Sequence, residues 1–105
     1  FLIVPCGFDA GAFDVLGHMM LHSECFRGMT RRMKEVAARH CGNRLLMCHE
    51  GGYHAASVPN CGLAVIEELS GIASGMEDPW MMVFGGLGQQ ELQPHQDAFI
   101  ASVEP

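Results

Sequence analysis

Phe1-Leu2-Ile3-Val4-Pro5-Cys6-Gly7-Phe8-Asp9-Ala10 and Arg44-Leu45-Leu46-Met47-Cys48-His49-Glu50-Gly51-Gly52-Tyr53 share one local plan. Each is a short apolar run, then glycine, then a chemically capable side chain. Phe1 to Pro5 and Arg44 to Cys48 read as strands, the first apolar on both faces as buried parallel strands are. Gly7 permits a close turn after the first. In open α/β sheets ligands sit at the carboxyl ends of strands. The pattern therefore brings one carboxylate, Asp9, and one phenol, Tyr53, to neighbouring strand ends around one crevice. A carboxylate there can hold a metal, and a phenol, protonated at neutral pH, can donate to a developing oxyanion. The residues alone leave blander alternatives open. Asp9 can simply close the following loop, and Gly51-Gly52-Tyr53 can be a tight turn with an aromatic anchor.

Between the strands, residues 10–22 read as a long loop rich in Gly, Ala and Met. Phe26, Met29, Met33, Val36, Ala37 and Cys41 then recur at near-helical spacing, with Arg27, Arg31, Lys34 and Glu35 largely off that stripe. The spacing predicts an amphipathic helix over Ser23 to His40, with Ser23 as N-cap and Gly42-Asn43 as its stop. A second helix is expected from about Asn60 to Ser70, ended by Gly71, with Leu63, Ile66 and Leu69 inward and Glu67 and Glu68 outward. Pro59 and Gly62 blur its start. Pro79 and the Gly85-Gly86-Leu87-Gly88 run interrupt the remainder of the chain, before a short final helix from Pro94 to Val103. The order is β-α-β-α with a tail, an α/β class built on a parallel sheet. A core over 1–71 and a loop-rich tail over 72–105 are the expected divisions. Two strands alone leave unpaired edges that invite association.

At 105 residues the chain is one small domain at most. Its formal net charge of −6 argues against nonspecific nucleic-acid binding, which needs a basic footprint. No apolar run approaches the ~18 residues that a membrane-spanning helix needs. Five cysteines, at 6, 25, 41, 48 and 61, form no C-x-x-C pair, so neither a disulfide framework nor a structural zinc site is expected. Reduced thiols in a cytoplasmic chain are the simpler expectation. Charged residues are 17% of the chain, against about 25% ordinarily, and there are eight Met residues. Both suit a surface that is partly an interface, and a homo-oligomer is expected.

Gly7-Phe8-Asp9-Ala10, Phe13-Asp14-Val15-Leu16 and His49-Glu50-Gly51-Gly52-Tyr53, in this order and spacing, resemble the histone deacetylase family. The stretch Cys61 to Leu69 is similar to the bacterial histone deacetylase-like amidohydrolases in particular. The resemblance runs from Phe1 to about Gly71 and is fainter beyond Ile72. It implies an α/β parallel-sheet fold and zinc-dependent hydrolysis of acyl-lysine or related acylated amines. It further implies that Asp9 is a zinc ligand, that Tyr53 is the oxyanion donor, that Leu16 lines the acyl channel, and that Gly51 and Gly52 form the turn carrying Tyr53. Val15 stands where the family often has Pro, and His54 where it often has Asn. The family's Asp-x-His ligand pair and His-His dyad belong to segments preceding the equivalent of Phe1. The expectation is thus the carboxyl-terminal third of a deacetylase fold, opening in mid-strand without a signal peptide, binding no zinc and inactive alone. A non-catalytic, self-associating α/β module is the alternative.

His18 and His22 stand four apart, and His49 and His54 flank the Glu-Gly-Gly-Tyr turn. None matches a family ligand or dyad position, and all four are expected to be structural. Asp14 is expected to shape its turn. The Gly85–Gly88 run lacks the strand-to-helix setting of a phosphate loop and reads as a hinge or turn.

Overall fold

A computed structural model describes residues 1–17, 19–87 and 92–103. Strand β1 (Leu2–Cys6) leads through a loop to helix α1 (Ser23–His40), then to strand β2 (Leu45–His49) and helix α2 (Val58–Ser70). Two shorter helices complete the order, α3 (Trp80–Gly85) and α4 (Pro94–Val103). The strands pair in parallel, in a register that sets Leu2 beside Leu45 and Cys6 beside His49. The βαβα order and the last helix match expectation; α3 does not come from any signal read in the sequence.

Phe8, Phe26, Cys61 and Val65 form the core, with Cys6, Ala10, Leu21, Met47 and Val58 packed around them. The Phe8 and Phe26 rings meet edge to face, centroids 5.1 Å apart, a preferred aromatic geometry. The sheet thus lays one face, through Cys6 and Met47, on α1 and α2. Its other face departs from the expected two-sided burial. Ile3 is 61% exposed and Leu46 49%, and among the described residues neither is covered. Strand side chains alternate between faces, so a single helical layer can bury only every second residue.

The helix faces also shift from the pattern read in the sequence. Helix α1 buries Ser23, Phe26, Thr30 and Ala37, while Met29 and Val36 are left in the open. Thr30 is tolerated inside because its hydroxyl donates to the Phe26 carbonyl at 2.8 Å, which satisfies a buried polar group. Ser23 is not the N-cap. That position is His22, in extended conformation, and Ser23 is the first helical residue. The stop is as expected, since Gly42 and Asn43 both take positive φ, 56° and 63°.

Helix α2 buries Cys61, Ala64 and Val65, and Ile66, expected inward, is 62% exposed. Glu67 and Glu68, expected outward, turn toward α1. The Arg27 guanidinium donates to Glu67 at 2.6 Å and Arg31 to Glu68 at 3.1 Å, and the Lys34 ammonium donates to the Glu68 carbonyl. Three cations on one side of α1 thus partner both carboxylates in this rotation of α2. Small residues on α2 allow the helices to approach. Gly71, at φ 72°, closes α2 in the left-handed cap that glycine favours.

Glu67 also accepts from the Ser74 amide at 2.6 Å and the Ser74 hydroxyl at 2.5 Å, which folds the chain after α2 back on itself. The two Ser74 donors, and then Arg27, hold its carboxyl down from 4.5 to about 2. A depressed folded-state pKa gives stability that is present above the unfolded value and lost as pH falls through the folded one. The difference in thermal midpoint between the unsubstituted chain and Glu67→Gln is therefore expected to be constant above about pH 5. It should shrink steadily between pH 4.5 and about 2, as tracked by circular dichroism.

Candidate functional site

The parallel pairing does not stop where the strands end. Glu50 N–H donates to the Cys6 carbonyl at 3.3 Å, and Phe8 N–H donates to the Gly51 carbonyl at 2.7 Å. These bonds carry the register into the loops that bear Asp9 and Tyr53. The carboxylate of Asp9 then lies directly over two glycines. A Cβ built on Gly7 would stand 2.4 Å from Asp9 Oδ1, and one on Gly51 would stand 2.6 Å from it. Gly52, at φ 130°, lies against the Phe8 side chain, where a Cβ would come within 2.9 Å of its Cβ. Any other residue at Gly52 would face both a disfavoured backbone conformation and that contact. The glycines that resemble a family turn are thus required by close approach.

The loop from Ala10 to His22 is closed at its base. Ala12 N–H donates to the Leu21 carbonyl at 2.8 Å and Leu21 N–H to the Ala10 carbonyl at 3.2 Å. At its tip, Asp14 Oδ1 accepts from the amides of Leu16 at 2.8 Å and Gly17 at 3.0 Å. Asp14 Oδ2 accepts from the amide of Tyr53 at 2.7 Å. The amides of Gly17 and then Tyr53, with a smaller part from Leu16, hold the Asp14 carboxyl below the ordinary carboxylate range. The tip also rests on the site, since a Cβ on Gly17 would overlap the Asp9 carbonyl oxygen at 1.6 Å.

Asp9, Leu16 and Tyr53 are all exposed, Tyr53 at 56%. All three lie on loops tied together beyond the carboxyl ends of β1 and β2. The histidines that flank Tyr53 are engaged elsewhere. His49 packs its ring on Phe8 at 5.1 Å. His54 Nδ1 is 2.8 Å from Ser57 Oγ, and its ring meets Phe13 and Trp80. His22 packs on Phe84 at 4.6 Å; His18 and Gly88 lie outside the described residues. Trp80, from the segment after α2, donates its indole N–H to the Ala56 carbonyl at 3.0 Å and packs on Phe13 at 4.9 Å. It buttresses the Tyr53 loop from behind. Burial pushes the Cys61 thiol up to about 11, with Asp78 adding to it, so Cys61 serves as a small core residue.

A catalytic zinc takes three protein ligands and keeps one position open. Among the described residues no three His, Cys, Asp or Glu side chains converge in that way. Asp9 offers one exposed anionic oxygen donor, cradled by Gly7 and Gly51, which suits one member of such a set. The described donors do not complete a site by themselves. Among the described residues, no helix is long and apolar enough to cross a membrane.

Sequence reasoning assigned Asp14 only its turn and missed Trp80. An Asp three residues before a Gly signals the turn. The bond to Tyr53 spans 39 positions and becomes visible only once the strand register is known.

Residues 1–69 match the family description "Histone deacetylase domain". A histone deacetylase-like amidohydrolase of Pseudomonas aeruginosa is 56% identical over 78 residues, covering 74% of this chain and 20% of that protein. Among solved structures, the histone deacetylase Clr3 aligns with a TM-score of 0.63 at 30% identity, over 96% of this chain and 15% of that one. The HDA15 HD domain aligns with a TM-score of 0.61 at 34% identity, over 68% of this chain and 19% of that one. The chain thus spans about a fifth or less of the length of these relatives.

The glycines divide into two kinds, and unfolding experiments should separate them. Nothing lies within 4 Å of a Cβ on Gly28, inside α1. Gly28→Ala is expected to stabilise by about 0.5–1 kcal/mol. Gly17→Ala, meeting a backbone oxygen that cannot rotate away, is expected to destabilise by more than about 1 kcal/mol. Denaturant midpoints of the two variants check both signs.

Proposed function

The chain belongs to the histone deacetylase family, and from that premise we propose that it forms one wall of a zinc amidohydrolase site for acyl-lysine or related acylated amines. The observation that carries this reading is the Phe8 N–H to Gly51 carbonyl bond at 2.7 Å. It fixes the backbone that presents the Asp9 carboxylate to the backbone that presents Tyr53. In this reading Asp9 is one anionic ligand. The Tyr53 hydroxyl donates to the oxygen of the acyl carbonyl as negative charge builds there. The Leu16 side chain forms part of the channel for the acyl-amine stem, Gly51 leaves room for the Asp9 carboxylate, and Gly52 lets the turn that carries Tyr53 close onto Phe8. Zinc, when bound, would polarise the carbonyl and lower the pKa of its water. The remaining ligands and the proton-handling pair would come from a complementary amino-terminal segment of the same fold, so the chain by itself is expected to be inactive.

A donor aimed at the place where charge develops acts mainly in the transition state, so its loss falls on kcat. Co-expression with the amino-terminal segment of a bacterial amidohydrolase relative is expected to give zinc-dependent hydrolysis of an acetyl-lysine substrate. Tyr53→Phe should keep zinc and assembly while lowering kcat by about 10²–10³. Asp9→Ala should lose zinc, by elemental analysis, and turnover together. An active assembly indifferent to Tyr53→Phe would remove the assignment.

The second reading is a non-catalytic module that pairs with its own copy. It is favoured by the open apolar sheet face at Ile3 and Leu46. Light scattering at micromolar concentration is expected to give a dimer mass under this reading, and a folded monomer at that concentration would exclude it.

A further inference from the structure

Tyr53 stands two residues beyond the last bond that ties its turn to the sheet, from Phe8 N–H to the Gly51 carbonyl. Gly51 and Gly52 precede it, and glycine leaves a backbone more conformational freedom than any other residue. Its side chain is largely exposed, so its position rests on the backbone that carries it. An oxyanion donor is useful only when its direction is set before the charge appears. Something other than the glycines must set it.

We propose that Asp14 is the positioning residue for Tyr53, a carboxylate bridge that locks the oxyanion-donor loop to the loop bearing Leu16. Oδ1 gathers the amides of Leu16 and Gly17, and Oδ2 takes the amide of Tyr53 at 2.7 Å across 39 positions of sequence. A turn-forming Asp needs only the first of these. The second oxygen is committed to a different loop, and to the very residue whose hydroxyl the proposed chemistry uses. Gly17, held by the same carboxylate, lies against the Asp9 carbonyl. One side chain therefore ties three chain segments, those of Asp9, Leu16 and Tyr53, into a single frame. Hydrogen bonds to an ionised acceptor are shorter and stronger than neutral ones, and the depressed Asp14 pKa agrees with an anionic bridge. The inference rests on the amidohydrolase reading for its consequence, but the tether itself does not depend on it.

Asp14→Asn separates the two functions. Asparagine has one acceptor oxygen, and the two amides of Leu16 and Gly17 outcompete the single amide of Tyr53 for it, which turns the NH₂ toward the Tyr53 N–H, where an acceptor is needed. Tyr53 is the single tyrosine of the chain, so selective ¹⁵N-tyrosine labelling gives one cross-peak. In Asp14→Asn that peak is expected to move upfield and its exchange with solvent to quicken about tenfold. The Leu16 and Gly17 amides and both long helices should stay in place. An unchanged Tyr53 peak with unchanged exchange would overturn the tether. Should the variant not fold, the unsubstituted chain decides. A scalar coupling between the Tyr53 amide nitrogen and the Asp14 carboxyl carbon is expected, and its absence beside visible helix couplings would count against the bond.

The functional consequence is read in a double-mutant cycle on the complemented, zinc-loaded assembly. Asp14→Asn should lower kcat about tenfold or more with KM little changed, and should cost almost nothing further in a Tyr53→Phe background. Equal costs in both backgrounds would show Asp14 acting independently of Tyr53 and would overturn the positioning role. A harmless Tyr53→Phe would instead overturn the amidohydrolase reading, leaving the tether to the amide peak.

Discussion

One hydrogen bond organises this molecule, the donation from Phe8 N–H to the Gly51 carbonyl. It extends a five-residue parallel ladder beyond the point where both chain segments leave the sheet. Phe8 meanwhile sends its ring into the core against Phe26, and its Cβ fills the space that Gly52 leaves open. The same residue therefore joins core packing to loop geometry. Burying an aromatic side chain of this kind is worth roughly 1.5–3 kcal/mol, more than a lone backbone bond contributes net. The bond's importance is directional. Hydrophobic burial holds Phe8 in place, and the bond uses that anchor to fix where the second loop begins.

Helix α2 shows how charge can choose among packings that apolar burial leaves nearly equal. Its buried stripe is made of small residues, Cys61, Ala64 and Val65, whose area does not strongly prefer one rotation. Ile66, one step around the helix, is a larger apolar residue left 62% exposed, while Leu63 is half-buried. The cations of α1 favour this rotation, pairing Glu67 and Glu68 with Arg27, Arg31 and Lys34. The Glu67 and Glu68 side chains are only 10% and 14% exposed, so these pairs are screened less than fully exposed ones, and a small difference suffices where the alternatives are close.

That competition explains what was and was not legible in the sequence. The two strands, helices α1 and α4 and the stops at Asn43 and Gly71 obey local rules and are legible to within a residue or two, whereas α3 is not. The helix faces did not, because they depend on partners: Arg27 is a solvent-facing charge until Glu67 stands opposite it. The two-sided apolar character of β1 was real in the sequence, yet only one of its faces meets a helix among the described residues. At the site, Gly51, Gly52 and Asp9 could be singled out by motif, and close approach gives the reason for the glycines. Asp14 and Trp80 could not be weighed, since their partners, Tyr53 and Phe13, lie far away in sequence.

The candidate site keeps its anchors and the side chains proposed for its chemistry on different atoms. Backbone groups of Phe8, Gly51, Leu16, Gly17 and Tyr53 make the bonds that fix the loops. The carboxylate of Asp9, the phenol of Tyr53 and the isobutyl group of Leu16 project from that frame into the open. Loops carry function well when a rigid scaffold positions them, and preorganisation demands that the scaffold not relax when a reacting group changes. Here a change at the phenol leaves every one of those backbone bonds intact, while a methyl group at Gly17 or Gly52 strikes the frame itself. Those exposed side chains can therefore be altered without the fold, but Gly17 and Gly52 cannot. This separation is what lets a two-stranded sheet keep the loops of Asp9, Leu16 and Tyr53 in register.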